Sequence, residues 1–249
     1  MKYFLSLIAV TAFLSLSPIH AQQETEKNTT YHTFQINTGG NYSQSSAKKV
    51  SMMFNNKLGY SVSKDKLVLN ANASWVYETQ NKTLSKNDFN FTLDFNYYFN
   101  ELKRFYGWGL NNYETAYSLK INHKYQAGVG LAYELIDDDV WFLRLSNGLL
   151  WETSNIIDAG EQLLYETWRN SFRLQFRAHY YEKIQFKYTG FWQPSIIDFD
   201  DQLLKMNAQL LIKIWKELDF KLEGQYNMVT RTKQENMLFT YGFSYKILF

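Results

Sequence analysis

Beyond the first 21 residues, large apolar side chains recur at every second position in segment after segment, and no segment approaches the 18 or so consecutive apolar residues of a helical membrane span. The stretch FNFTLDFNYYF (89–99) shows the pattern at its sharpest: Phe89, Phe91, Leu93, Phe95, Tyr97 and Phe99 alternate with Asn90, Thr92, Asp94 and Asn96. Alternate side chains of a strand point to opposite faces, so such a segment is a strand with one apolar and one polar face. Twelve are predicted, at 31–42, 49–62, 66–78, 88–99, 104–113, 123–136, 140–152, 166–180, 183–193, 203–215, 218–229 and 240–249. Gly39 and Gly40 weaken the first. Gly107 and Gly109 blur the fifth, in which Tyr106, Trp108 and Leu110 share the apolar face.

The connections carry a second periodicity. Tight polar turns (SKDK, NELK, DDD, YEK, KE) follow the even-numbered strands, whereas longer links such as TQNKTLSK, SNIIDAGEQLLY and TRTKQEN follow the odd-numbered ones. An even set of antiparallel strands with short turns at one end and longer loops at the other predicts an all-β, transmembrane, up-and-down barrel of about twelve strands. Closure leaves no unpaired edge in lipid. Tyr and Phe at 19 each and Trp at 7, with a mean hydropathy of −0.40, suit strands that are apolar on one face only.

The N-terminal MKYFLSLIAVTAFLSLSPIHAQQ pairs Lys2 with an apolar run and small residues, the form of a cleaved secretory signal over residues 1–21. One barrel domain over 22–249 is expected, in the cell outer membrane. With no cysteine, there is neither a disulfide framework nor a thiol for an N-terminal lipid. A net charge of +2, with charges scattered, gives no nucleic-acid signal. The last strand ends on an aromatic residue, so Phe249 is expected to be the insertion signal read by the barrel assembly machinery. A soluble periplasmic ligand-binding barrel is the alternative if the apolar faces point inward.

FYGWGLNNYET (105–115), KYQAGVGLAYELID (124–137) and VWFLRLSNGLLWE (140–152) together resemble the bacterial family called domain of unknown function 481, with Gly128-Val129-Gly130, Tyr133 and Leu135 at the centre of the likeness. His123 and Lys124 stand where the motif usually begins with one basic residue. Members are often labelled salt-induced outer-membrane proteins. The resemblance implies an outer-membrane barrel and supplies no catalytic set.

Chemistry, if any, belongs to the polar face. Arg169, Arg173 and Arg177 are four apart and share it. The turns put Arg177 near Lys187 and Arg144, and Lys213, Lys221 and Lys246 extend the basic wall. Glu78, Asp94 and Glu134 come from the other side, while Glu152 near Arg169 and Asp219 near Lys221 suggest ion pairs. Two readings follow: a charged pore that filters small solutes, or a lumen filled by its own salt bridges. A lipid acyl hydrolase is a third. Ser146 lacks a preceding His, its parity points inward, and His179 belongs to the lumen face, so no Ser–His pair is predicted. The acidic clusters IDDD (136–139) and DFDD (198–201) read as turn and loop residues, not as metal sites, and no cofactor is expected.

Overall fold

A computed structural model describes residues 30–44, 50–99, 104–158, 160–181, 183–215, 218–245 and 247–248. The described strands are β1 (Thr30–Gln44), β2 (Val50–Lys64), β3 (Leu67–Gln80), β4 (Thr83–Tyr98), β5 (Phe105–Ala116), β6 (Ile121–Asp137), β7 (Trp141–Asp158), β8 (Glu161–Tyr180), β9 (Ile184–Pro194), β10 (Gln202–Trp215), β11 (Leu218–Val229), β12 (Gln234–Tyr245) and the short β13 (Ile247–Leu248). Each strand from β1 to β12 pairs antiparallel with its neighbour in sequence. The two-residue β13 carries on the wall begun by β12 and pairs back onto β1 through Thr33–Leu248 and Phe34–Ile247, so the sheet closes on itself.

The pleat sorts the side chains. Phe54, Leu69, Phe91, Leu93, Leu131, Tyr133, Leu149, Trp168 and Phe239 stand exposed on the outside. Glu78, Glu114, Gln126, Glu134, Arg144, Glu152, Arg169 and Glu223 are buried within. An apolar exterior around a polar interior inverts the order of a soluble barrel and matches a wall facing lipid.

The fifth strand departs from the sequence expectation. Phe105 and Tyr113 point out, whereas Tyr106, Trp108 and Leu110 point into the barrel. The glycines explain the inversion. Outside, the bare backbone at Gly109 makes room for the Phe95 ring, which lies 2.2 Å from where a Cβ would stand. Inside, the Trp108 indole lies against β6 and β7, 2.4 Å from the positions that Cβ atoms of Gly130 and Gly148 would occupy. Hence Gly130 and Gly148 form a shelf for an indole, while Gly128 lies against the backbone and side chain of β7.

Link lengths also differ from those expected. TQNKTLSK (79–86) is mostly strand, with a turn of only Asn81 and Lys82, both at positive φ (53° and 66°) as a hairpin turn of type I′ requires. Most of SNIIDAGEQLLY (154–165) continues β7 and β8, which pair out to Asp158–Glu161. These stretches lose their regular alternation while still pairing, which is what strand emerging from lipid into water on its outer face does. β9 pairs with β8 only from Phe172 onward, plus one bridge between Arg169 and Ser195, so the β7–β8 hairpin rises above its neighbours. On the same rim, the link between β5 and β6 folds inward as a 3₁₀ turn, Tyr117–Leu119.

Candidate functional site in the barrel lumen

The deepest feature is a charge network beneath the rising hairpin. Glu152 from β7 and Arg169 from β8 face inward on adjacent strands, and the β9–β10 link folds back to bring Asp201 beneath them. Arg169 is wholly buried and meets Glu152 through two nitrogens (Nε to Oε2 2.8 Å, Nη2 to Oε1 2.9 Å). Nη1 donates to the main-chain oxygens of Asp201 (3.0 Å) and Gln193 (3.2 Å), and Nη2 also reaches the Asp201 carboxylate (3.1 Å). The guanidinium fork is thereby engaged on every nitrogen, the condition under which a buried charge is tolerated. Tyr165 donates to Glu152 (2.8 Å), Gln126 does so from β6 (2.6 Å), and Arg231 adds a second cation to Asp201 (2.8 Å) while lying over the Tyr165 ring.

Next to it, braces cross the barrel. Glu114 on β5 forms an ion pair with Lys124 on the adjacent β6 and accepts from Lys205 on β10, each at 2.7 Å. Lys205 comes from the far wall, so this ion pair spans the lumen. Gln126 on β6 also reaches Gln193 on β9 at 3.3 Å. The 3₁₀ turn stretches over the opening: Ser118 donates to Asp88 on β4 and accepts from Asn236 on β12 (2.7 Å). Leu119 beside it is buried among Ala116, Ile121, Ile156, Leu203 and Val229.

Toward the opposite rim, Arg144 pairs with Glu134 and with Gln175 (3.3 Å). Arg144 and Arg177 sit on the Phe142 ring, each 4.8 Å from its centre. Arg173 donates to Ser146 (3.1 Å) and Tyr106 (3.4 Å) and lies over Phe191. Across the lumen, Glu223 accepts from Lys57 (2.6 Å) and Lys221 (3.0 Å), and Asn207 and Gln209 complete its shell. Glu78 pairs with Lys86 at 3.3 Å, and Asp94 accepts from Asn70 at 2.8 Å.

Of the residues singled out in the sequence, Glu78, Glu134, Arg144, Glu152 and Arg169 are buried within the barrel, and Asp94, Arg173 and Lys221 line its cavities. Arg177 lies opposite Lys187 in register. Lys213 is exposed near a rim, opposite Asp219. The carboxylate that binds Lys221 is Glu223 and not the expected Asp219. Lys246 and Phe249 lie outside the described residues. The expected separation of a basic wall from an acidic one is replaced by pairing of near neighbours with a few cross-lumen bridges. Sequence reasoning missed Glu114, Lys124, Lys205, Asp201, Arg231 and the Lys57–Glu223 pair. Glu114 and Lys124 share strand parity with residues that were chosen, but partners far apart in sequence have no local signal. Asp201 was read as a solvated loop residue and is instead buried against two arginines.

The remaining candidates have structural roles. Asp138 accepts the amides of Val140 (2.9 Å) and Trp141 (2.6 Å), which shapes a turn, and Asp198 accepts that of Asp200 (3.2 Å). Among the described residues no group of three or more acidic, His or Cys side chains is placed to hold a metal. Ser146 is bonded to Arg173, while the His179 ring meets Gln185.

Two of the cavities lined by described residues have room for several water molecules. One of about 360 Å³ is lined by Asp88, Asp94, Glu114, Lys86, Arg173 and Lys205, with Trp108 and Phe191. The other, about 260 Å³, lies between β1–β4 and β9–β11.

A solved structure of the NanC porin is similar in fold, at 12% identity and a TM-score of 0.53, covering 87% of this chain and 100% of that one. The likeness is weaker to the COG4313 outer membrane channel from Pseudomonas putida F1 (13% identity, TM-score 0.48, 94% of this chain and 100% of that one). No curated protein matches the chain. The glycine shelf under Trp108 and the paired charges of β6 and β7 fall within residues 36–247, which match the family described as protein of unknown function, DUF481, and the chain belongs to that family.

Proposed function

We propose that this protein is an outer-membrane barrel, exported through a cleaved leader over residues 1–21, whose lumen is a wet but braced chamber that passes small solutes slowly. The barrel domain is residues 22–249. The bilayer is its main partner, and insertion proceeds from the periplasm through the assembly machinery, with Phe249 as the signal.

The observation that carries the reading is the Glu114–Lys205 bridge. A side chain reaching from one wall to the other narrows a conduit in a way that pairing along one wall does not. The cavities supply room for water and small ions, Arg173 lines the larger one, and Arg177, further along the same strand, adds to an anion-favouring field. Enzymatic hydrolysis of lipid is the weaker reading, since Ser146 is engaged by Arg173 rather than by a base.

Single-channel conductance of refolded residues 22–249 in planar bilayers tests the proposal. Small, steady currents are expected for the wild type. Larger ones are expected for Lys205→Ala, with anion preference reduced in Arg173→Gln/Arg177→Gln. Silence from both the wild type and Lys205→Ala would overturn the pore and leave a barrel that acts through its presence in the envelope.

A further inference from the structure

The larger cavity carries charges of both signs, and all but two of them are satisfied from within the protein. Lys86 pairs with Glu78, Lys205 pairs with Glu114, and both oxygens of Asp88 accept from Ser118. Asp94 on β4 and Arg173 on β8 are the exceptions: neither forms an ion pair among the described residues.

Their hydrogen bonds are to neutral groups and leave one atom of each open. Both donors to Asp94, Asn70 (2.8 Å) and Asn96 (3.4 Å), go to Oδ1. Arg173 donates from Nε to Ser146 (3.1 Å) and from Nη2 to Tyr106 (3.4 Å), and its guanidinium lies 5.9 Å from the centre of the Phe191 ring. Asp94 Oδ2 and Arg173 Nη1 thus have no hydrogen-bond partner among the described residues, and neither is one of the polar atoms enclosed without one. Both side chains are half-buried, so each keeps surface toward the cavity that it lines.

A partly desolvated charge with only neutral partners gains from a charged one. A simple anion would satisfy Arg173 and be repelled by Asp94, and a simple cation would meet the converse. A molecule with both charges and no net charge suits the two together. We propose that this cavity binds a small zwitterion of the amino-acid class, its carboxylate on Arg173 Nη1 and its ammonium group on Asp94 Oδ2. A volume of about 360 Å³ is within the usual range for small-molecule pockets. The inference rests on the reading of the lumen as wet, but it needs access from one rim only.

Titration calorimetry of the refolded protein in detergent at low salt tests it. The probes are L-alanine and 4-aminobutyrate, which separate their two charges by different lengths, and butyrate and butylamine, which keep one charge each. At least one zwitterion is expected to bind about tenfold or more tightly than either singly charged probe, the gain of a second charge-assisted hydrogen bond. Asp94→Asn, which keeps an acceptor for Asn70, should bring that zwitterion down to the level of butyrate. Arg173→Gln should bring it down to the level of butylamine. The shift in gel mobility between heated and unheated samples verifies that each variant is folded. If Arg173→Gln does not fold, Asp94→Asn carries the comparison alone.

A folded wild type that takes up neither zwitterion, a singly charged probe that binds as tightly as the better zwitterion, or zwitterion affinity unchanged in Asp94→Asn would overturn the proposal. Zwitterion binding by a barrel silent in bilayers would support this inference and overturn the pore alone. A conducting barrel without zwitterion binding would do the reverse.

Discussion

Arg169 is where single side chains matter most. It is wholly buried, and its removal strands the carboxylates of Glu152 and Asp201 away from water. Arg169→Ala should therefore cost about 3–5 kcal/mol, the usual penalty for breaking a buried pair, read as a lower urea midpoint for refolding into detergent. Arg169→Lys keeps the charge but loses the fork and should fall between. The indole shelf gives a second test at this scale. A side chain at Gly130 meets Trp108 at 2.4 Å, so Gly130→Val should destabilise by about 1–3 kcal/mol or more through overpacking, and Gly130→Val/Trp108→Ala should recover part of the loss. The Glu152–Arg169 contact was legible because the two residues lie on the same face of adjacent strands. Asp201 was not, since nothing local shows that a link will fold back under a hairpin.

Among the elements, the alternation of ring and polar residue made β4 and β6 readable along their lipid-facing length. It misled at β5, where glycine occupied the outward positions and the rings had turned inward. It also stopped short at β3–β4 and β7–β8, because the pattern records burial in lipid whereas the hydrogen-bonded ladder runs beyond it. The Asn81–Lys82 turn holds Lys82 at φ 66°, a conformation that glycine adopts without steric cost. Lys82→Gly is expected to be neutral or to stabilise by up to about 1 kcal/mol, and Lys82→Val to destabilise. The inward 3₁₀ turn gives a sharper outcome. Leu119→Ala empties its seat among Ile121, Ile156 and Leu203, with an expected loss of about 2–5 kcal/mol and a rise in single-channel current.

For the whole molecule, the decisive property is which side faces lipid. Val129 stands near the middle of β6, 64% exposed and pointing outward. Val129→Arg should destabilise the barrel by about 2–4 kcal/mol if that position lies at the midplane, measured as the unfolding free energy in lipid vesicles. In a soluble barrel the same change on an exposed face would cost almost nothing.

The unequal heights of the strands have a further consequence. A lipid-spanning strand needs only about 9–11 residues, and β9 has 11 whereas β8 has 20. Near the tip, Gly160 has open space around it. A protease that severed the chain there would leave two polypeptides, one carrying β1–β7 and the other β8–β13, still laced together by the ladder from Trp141–Ala178 upward. Covalent continuity and the integrity of the ring are thus separable, and the tip can serve as a cut site that reports which side of the membrane it occupies without dismantling what it reports on.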